Sequence, residues 1–332
     1  MTRTPTRDVR ATVDQIKKLA AFGCDVVRVA VPDRGAVEAL QKIVAQSPLP
    51  VIADLHFSTR LIAAAMESGA SGVRINPLAL GSGHTLAQLG RLALKNTVCV
   101  RVGANGGRLP PEKATPSALV DPVLEAADEL AQGGLSDIKV SVKASSVGLT
   151  VEANRLLAER CDWPIHLGLT EAGVGPAAAA KSAVACSLLL AEGIGDTVRF
   201  SLCGDPIGEV RAACSMLRCL GLRTGGLEVV ACPSCGRAHR DVAAVAGEVE
   251  ARLSSMLDRG EGLTVAVMGC EVNGPGEAKS ADVGIAATRS GWVLFCRGRV
   301  ADRLEPQEGV SRLVEEAREL ISQQRKGGSE KQ

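Results

Sequence analysis

The sequence predicts an α/β protein: a TIM-like (β/α)8 barrel lacking its first strand in this chain, followed by a small α+β domain. Three observations carry the prediction. Through the first two-thirds of the 332 residues one unit repeats: a short β-rich run, a loop with a polar residue, then an Ala- and Leu-rich helix. Short buried strands alternating with helices imply a parallel sheet. No glycine-rich dinucleotide fingerprint is present, whereas polar residues recur at strand C-termini, the rim on which barrels place their chemistry.

In chain order the strands are expected at 25–29, 51–54, 72–75, 98–102, 137–142, 165–169 and 197–202, with helices between them such as 12–22, 36–46, 59–67 and 119–132. These are seven strands where closure takes eight, and the chain opens almost directly with a helix, so the absent strand is the first. Such a gap exposes two unpaired strand edges. The pattern breaks at Leu-Gly-Leu-Arg-Thr-Gly-Gly, near 221–226. Strands at 227–231, 264–268, 283–286 and 292–296 and helices at 243–257 and 310–323 then give a mixed α+β pattern. The expected division is a barrel over 1–222, a small domain over 226–323 and a disordered tail over 324–332.

Hydrophobic residues make up 46% and charged residues 23%, as in an ordinary globular protein. A net charge of +1 gives no global field toward nucleic acid or membrane. With no Tyr, four Phe and two Trp, the composition argues against base-stacking platforms. The opening Met-Thr-Arg-Thr-Pro-Thr-Arg-Asp has no apolar signal core, and no run is long enough to cross a membrane. The expected location is the cytoplasm, where thiols stay reduced.

Eleven cysteines therefore need sorting rather than pairing. Cys24, Cys99, Cys161, Cys186, Cys203, Cys214 and Cys219 lie in or beside apolar runs and read as small buried hydrophobes, and Cys296 reads as a strand residue. Cys232 and Cys235, in Ala-Cys-Pro-Ser-Cys-Gly-Arg, and Cys270, opening Cys-Glu-Val-Asn-Gly-Pro-Gly-Glu, sit instead in Gly- and Pro-rich turns. Three thiols with the carboxylate of Glu277 make a soft-ligand metal site. Free amide N–H groups in such turns suit the sulfides of an iron–sulfur cluster. Zinc, with His239 as a nominal fourth ligand, and a redox dithiol are the alternatives the residues leave open.

The barrel strands carry a second pattern. Arg28, Arg74 with Asn76, Arg101 with Asn105, Lys139 and Lys143 with Ser141 and Ser145, and Arg199 with Ser201 interrupt otherwise apolar runs. A charge inside an apolar strand costs several kcal/mol, by estimate, unless it is paired or ligated. Successive examples converging on one rim point to an anion, and Arg forks match phosphate oxygens. The loop Gly106-Gly107-Arg108 is placed to close over it. Asp54, His56, His166, Thr170 and Glu171 supply acids and polar neighbours, with Glu171, in a Gly-rich loop beyond a strand, the preferred proton donor.

At these residues the chain resembles the 4-hydroxy-3-methylbut-2-enyl diphosphate synthase family, in its shorter bacterial two-domain form. The likeness runs from Met1 to the helix at 310–323 and includes Ala-Asp-Leu-His-Phe, Arg-Ile-Asn-Pro, Lys-Val-Ser-Val-Lys-Ala-Ser, Leu-Thr-Glu-Ala-Gly and both cysteine motifs. It implies one [4Fe-4S] cluster held by Cys232, Cys235, Cys270 and Glu277. It also implies reductive ring opening and dehydration of 2-C-methyl-D-erythritol 2,4-cyclodiphosphate to the linear (E)-4-hydroxy-3-methylbut-2-enyl diphosphate. Arg28, Arg74, Arg101, Asn105, Lys143, Arg199 and Ser201 match the diphosphate-binding set, and Glu171 the acidic group beside the substrate. Flavodoxin or ferredoxin is the implied electron donor, and a homodimer with cross-subunit active sites the implied assembly. The family pattern includes a first barrel strand just upstream of Met1. Competing readings are another metal-dependent barrel enzyme acting on a phosphorylated metabolite, or an iron–sulfur electron-transfer module.

Overall fold

The computed structural model describes residues 1–55, 59–77, 86–254, 256–257, 261–271, 278 and 280–329. They form two compact units, Met1–Leu220 and Gly221–Gln332.

Among the described residues of the first unit, seven parallel strands alternate with eight α-helices. The strands are β1 (Val27–Ala30), β2 (Val51–Asp54), β3 (Gly72–Ile75), β4 (Cys99–Asn105), β5 (Ile138–Lys143), β6 (His166–Leu167) and β7 (Thr197–Val198). The helices are α1 (Val9–Ala21), α2 (Arg34–Gln46), α3 (Thr59–Glu67), α4 (Leu86–Asn96), α5 (Pro116–Gln132), α6 (Val147–Arg160), α7 (Gly175–Ala191) and α8 (Pro206–Cys219). Their starts follow from local chemistry. Asp8, Asp33, Thr115, Ser146 and Asp205 each accept a backbone N–H of the first turn.

Strands β1 to β5 pair in sequence order, β6 pairs with β7, and a parallel bridge from Val140 to Ile165 joins the two groups. The helix layer closes completely: each helix packs on the next, and α8 packs on α1. The strand layer does not. Among the described residues β7 and β1 have no strand between them, as the count of seven predicts. The free edge of β1 is nonetheless partly covered. Thr2 N–H donates to Arg28 O at 3.0 Å, and the Thr6 hydroxyl to Ala30 O. The N-terminal segment thus occupies an edge expected to be bare.

Outward strand positions are apolar and pack under the helices: Val27 and Val29, Val73 and Ile75, Val100 and Val102, Val140 and Val142. The alternate positions face the axis. Barrel interiors ordinarily hold layers of Val, Ile and Leu, but this one holds Arg28, Asp54, Arg74, Arg101, Lys143 and Arg199. Glycine makes the room. A methyl group at Gly103 would meet Ser141 Oγ at 2.2 Å, and one at Gly168 would meet Arg199 O at 2.3 Å and Lys143 Nζ at 3.1 Å. Gly168 also has φ +151°, which side chains disfavour. Gly168→Ala is therefore expected to cost about 3 kcal/mol in urea unfolding; a cost below about 0.5 kcal/mol would contradict this packing.

In the second unit the sheet runs β12 (Arg299–Leu304), β11 (Trp292–Cys296), β10 (Val283–Ala287), β9 (Gly262–Met268), β8 (Gly226–Ala231). It is covered by α9 (Val242–Leu253) and α10 (Gly309–Ser329) around Val249, Val265, Ile285, Leu294, Leu313 and Val314. Strand β12, which the sequence pattern did not announce, is an exposed edge with Leu304 alone buried. Helix α10 continues through residues expected to be disordered. Gln324 Nε2 donates to Gly262 O at 3.3 Å, and Arg325 pairs with Glu261, which ties the last turns to β9. Two cysteines also depart from expectation, since Cys203 and Cys219 are exposed. No helix among the described residues is long and apolar enough to cross a membrane.

Candidate functional site

Neighbouring strands bring the barrel cations into one electrostatic group. Register sets Arg74 beside Arg101 and Asn105 beside Lys143. Asp54 lies between two forks, with Oδ2 3.6 Å from Arg28 Nε and Oδ1 3.7 Å from Arg74 Nη1. Arg74 Nη2 also donates to Gly103 O at 3.4 Å, and Arg101 Nη1 to Ser141 Oγ at 3.4 Å. Arg199 Nη2 lies 3.6 Å from Glu209 Oε1, whose other oxygen faces the Met1 amino group at 3.9 Å.

Five cations, Arg28, Arg74, Arg101, Lys143 and Arg199, thus meet two carboxylates, Asp54 and Glu209. Burial first, and mutual repulsion after it, oppose the charges of Arg101, Arg28 and Lys143. Burial, then the charges of Arg28 and Arg74, pushes Arg101 down to about 9. Burial pushes Arg28 down to about 10 against the pull of Asp54. Both stay cationic near neutrality. Lys143 is lowered well below its ordinary value by burial and then by Arg101, Arg199 and Arg28. Arg28 Nε, Arg199 Nε and Asp54 Oδ1 are buried without a hydrogen-bond partner among the described residues. Cationic donors left wanting acceptors in a positive interior are what a phosphate-bearing ligand satisfies.

His166 belongs to this interior more closely than its sequence context suggested. Its Nδ1 lies 2.9 Å from Thr197 Oγ1, and burial followed by the charges of Lys143, Arg101, Arg28 and Arg199 holds it well below its usual value. It is a neutral imidazole among cations. Asp54, nominated as an acid, instead braces two arginines. Glu209 was missed: in Asp-Pro-Ile-Gly-Glu it reads as a first-turn acid favoured by the helix dipole. Ser201 is half-buried on the segment after β7. Glu171 is exposed on the β6 rim loop with φ +55°, and its Oε1 would stand 3.6 Å from a methyl group added at Gly107. That brings the nominated proton donor to the loop expected to close the site. Thr170 N–H fixes the turn by donating to Ala144 O at 3.1 Å. His56 lies outside the described residues.

In the second unit β8 and β9 are parallel neighbours, so their C-terminal turns lie at the same end of the sheet. Cys232 follows β8 directly, and Cys270 follows β9 by two residues. Cys232 N–H donates to Val267 O at 3.3 Å, Gly269 N–H points at Cys232 Sγ at 3.2 Å, and His239 N–H donates to Gly269 O at 2.8 Å. A methyl group at Gly269 would lie 2.9 Å from Val242 and 3.3 Å from Cys232 Sγ, so glycine lets the turns meet. Cys235 is exposed, and the Arg237 backbone N–H, ahead of that residue's charge, lowers its thiol toward thiolate. Among the described residues no three His, Cys, Asp or Glu side chains are grouped to hold a metal ion. A cluster takes each thiolate on a different iron, so its ligands surround a volume rather than a point. Three thiols on adjoining turns, with an amide N–H already donated to sulfur, fit such a group. Glu277 and residues 272–276 lie outside the described residues.

Comparison with known proteins joins the two units. The chain matches the GcpE TIM-barrel domain over residues 1–214 and the GcpE protein C-terminal domain over residues 228–319. It belongs to the GcpE family, the 4-hydroxy-3-methylbut-2-enyl diphosphate synthases. Its similarity to individual GcpE proteins extends nearly end to end. It is 45% identical to the 4-hydroxy-3-methylbut-2-en-1-yl diphosphate synthase (flavodoxin) of Geobacter sulfurreducens, over 97% of this chain and 92% of that protein. Its identity to the enzyme of the same name from Lawsonia intracellularis is 44%, over 97% and 91% of the two chains. With that of Aquifex aeolicus it is 43%, over 96% and 90%. As a GcpE-family chain it is an oxidoreductase of isoprenoid synthesis, a class that works with a redox cofactor and an electron donor.

Proposed function

We propose that this chain opens the ring of 2-C-methyl-D-erythritol 2,4-cyclodiphosphate and dehydrates it to (E)-4-hydroxy-3-methylbut-2-enyl diphosphate. Two electrons and two protons enter and one water leaves, with flavodoxin or ferredoxin as electron donor. The observation that carries the reading is the barrel interior, which holds buried cations where other barrels hold aliphatic layers. Arg28, Arg74, Arg101, Lys143 and Arg199, with Asn105 and Ser201, hold the two phosphates, and the fixed geometry of the forks orients the ring. Glu171, beside Gly107 at the rim, gives or takes the proton at the carbon skeleton. Cys232, Cys235, Cys270 and Glu277 hold one [4Fe-4S] cluster, which supplies electrons when bound.

The assembly in this reading is a homodimer with cross-subunit active sites. Support comes from α7, which is apolar nearly all round yet leaves Val184 and Leu188 exposed by 51% and 46%. A helix of that composition ordinarily has a partner on each face.

The test is anaerobic reconstitution of the full chain, followed by incubation with reduced flavodoxin and the cyclic diphosphate, with iron measured in the same sample. Formation of the linear diphosphate at four irons per chain is expected. A full iron complement and bound substrate without product would overturn the reading.

A further inference from the structure

The segment 199–202 carries two residues of the proposed anion site yet has little sheet to hold it. β7 ends at Val198 and pairs only with β6 among the described strands. Beyond it, Arg199 N–H donates to Leu167 O at 3.0 Å, and Cys203 N–H to Gly173 O at 2.9 Å. Between them Leu202 N–H donates to Glu209 Oε1 at 3.0 Å. A helix carboxylate thus stands where a neighbouring strand would offer a carbonyl. The same oxygen is the partner of Arg199 Nη2 at 3.6 Å, on a side chain only 13% exposed.

Glu209 reaches this point because α8 starts where it does. Asp205 caps the helix by accepting Ile207 N–H at 3.0 Å, and Pro206 opens its first turn. Glu209 then lies in that first turn, facing the strand end the chain has just left. One carboxylate oxygen therefore sets two things: the direction of the Arg199 fork, and the backbone at Leu202, next to Ser201. Without it, a half-buried guanidinium loses its partner and a half-buried N–H its acceptor, and each loss is costly.

We infer that Glu209 is a positioning residue for anion binding, acting through Arg199 by charge and through Ser201 by the backbone. The inference rests on the anion site of the proposed function, although Glu209 itself need not touch the ligand. Two substitutions separate its two roles. Glu209→Gln keeps an acceptor for Leu202 N–H but removes the charge, whereas Glu209→Ala removes both.

Calorimetric titration of the full chain with the cyclic diphosphate, and separately with inorganic diphosphate, reads the effect. Glu209→Ala is expected to weaken binding of either anion about thirtyfold, and Glu209→Gln about fivefold. Glutamine removes a charge faced by Arg199 at 3.6 Å and by the Met1 amino group at 3.9 Å, so the larger part of its loss should disappear in an Arg199→Ala background. Additive losses in that cycle, or wild-type affinity in both variants, would overturn the inference. Thermal unfolding runs alongside, and if the alanine variant does not fold, the glutamine cycle alone decides. Should the wild-type chain bind inorganic diphosphate and ignore the cyclic one, the substrate assignment falls. The Glu209 dependence would then still be measured on inorganic diphosphate and judged by the same cycle.

Discussion

Replacing Lys143 by Met is expected to stabilise the ligand-free protein while lowering its affinity for the cyclic diphosphate about a hundredfold. The two effects have one cause. Lys143 is 6% exposed, and burial together with Arg101, Arg199 and Arg28 opposes its charge. Among the described residues no carboxylate pairs with Lys143 to offset that cost, and methionine removes it at similar length. A gain of about 1–2 kcal/mol in urea unfolding is the expected size, since apolar replacement of a buried charge is often stabilising. The same charge is what a phosphate seeks, so binding falls by about 2.7 kcal/mol, the equivalent of a hundredfold.

A pH series adds an independent sign. With the folded-state value below the ordinary 10.5, the unfolded chain binds the Lys143 proton more tightly. Wild-type stability should therefore rise with pH between the lowered value and 10.5, and the Lys143→Met variant should lose that slope. A variant less stable than wild type that binds the cyclic diphosphate normally would show Lys143 to be a packing residue.

Cys270→Ser is expected to leave the barrel's anion affinity within about twofold of wild type and to abolish turnover, by a factor on the order of 1,000 or more. The barrel and the second unit have separate cores, so the substitution leaves the first untouched. Serine keeps the volume of Cys270, which is 7% exposed, but replaces a thiolate with an alcohol that ligates iron poorly. Iron and sulfide per chain should fall with activity. Cys219→Ser, on the exposed side of α8, serves as the control and should retain both. Turnover by the Cys270 variant at wild-type iron content would remove Cys270 from the ligand set.

How much of this was legible in advance depended on what each feature requires. Strands β2 and β3 stand at the residues expected for them, because their apolar runs are bounded by helices and turns on both sides. β6 and β7 shrank to two residues each from expected runs of five and six. Their composition is strand-like, but the ladder that would extend them needs a partner, and partners are set by topology. β12 gave no signal because five of its six residues are exposed and three of them charged, and it is a strand by virtue of pairing with β11. The helical tail was invisible for a related reason, since its anchor at Glu261 lies far away in sequence.

The barrel-plus-small-domain order, the seven-strand count, the cationic residues and the cysteine turns can all be read along the chain. Those depend on local periodicity and on residue types that have few other uses. What the charges do to one another emerges from packing. Asp54 braces Arg28 and Arg74 rather than serving as a free acid, His166 is a neutral ring among cations, and Glu209 anchors a strand end from a helix. Coulomb repulsion and desolvation depend on distance and burial, and neither exists until strands far apart in sequence lie side by side.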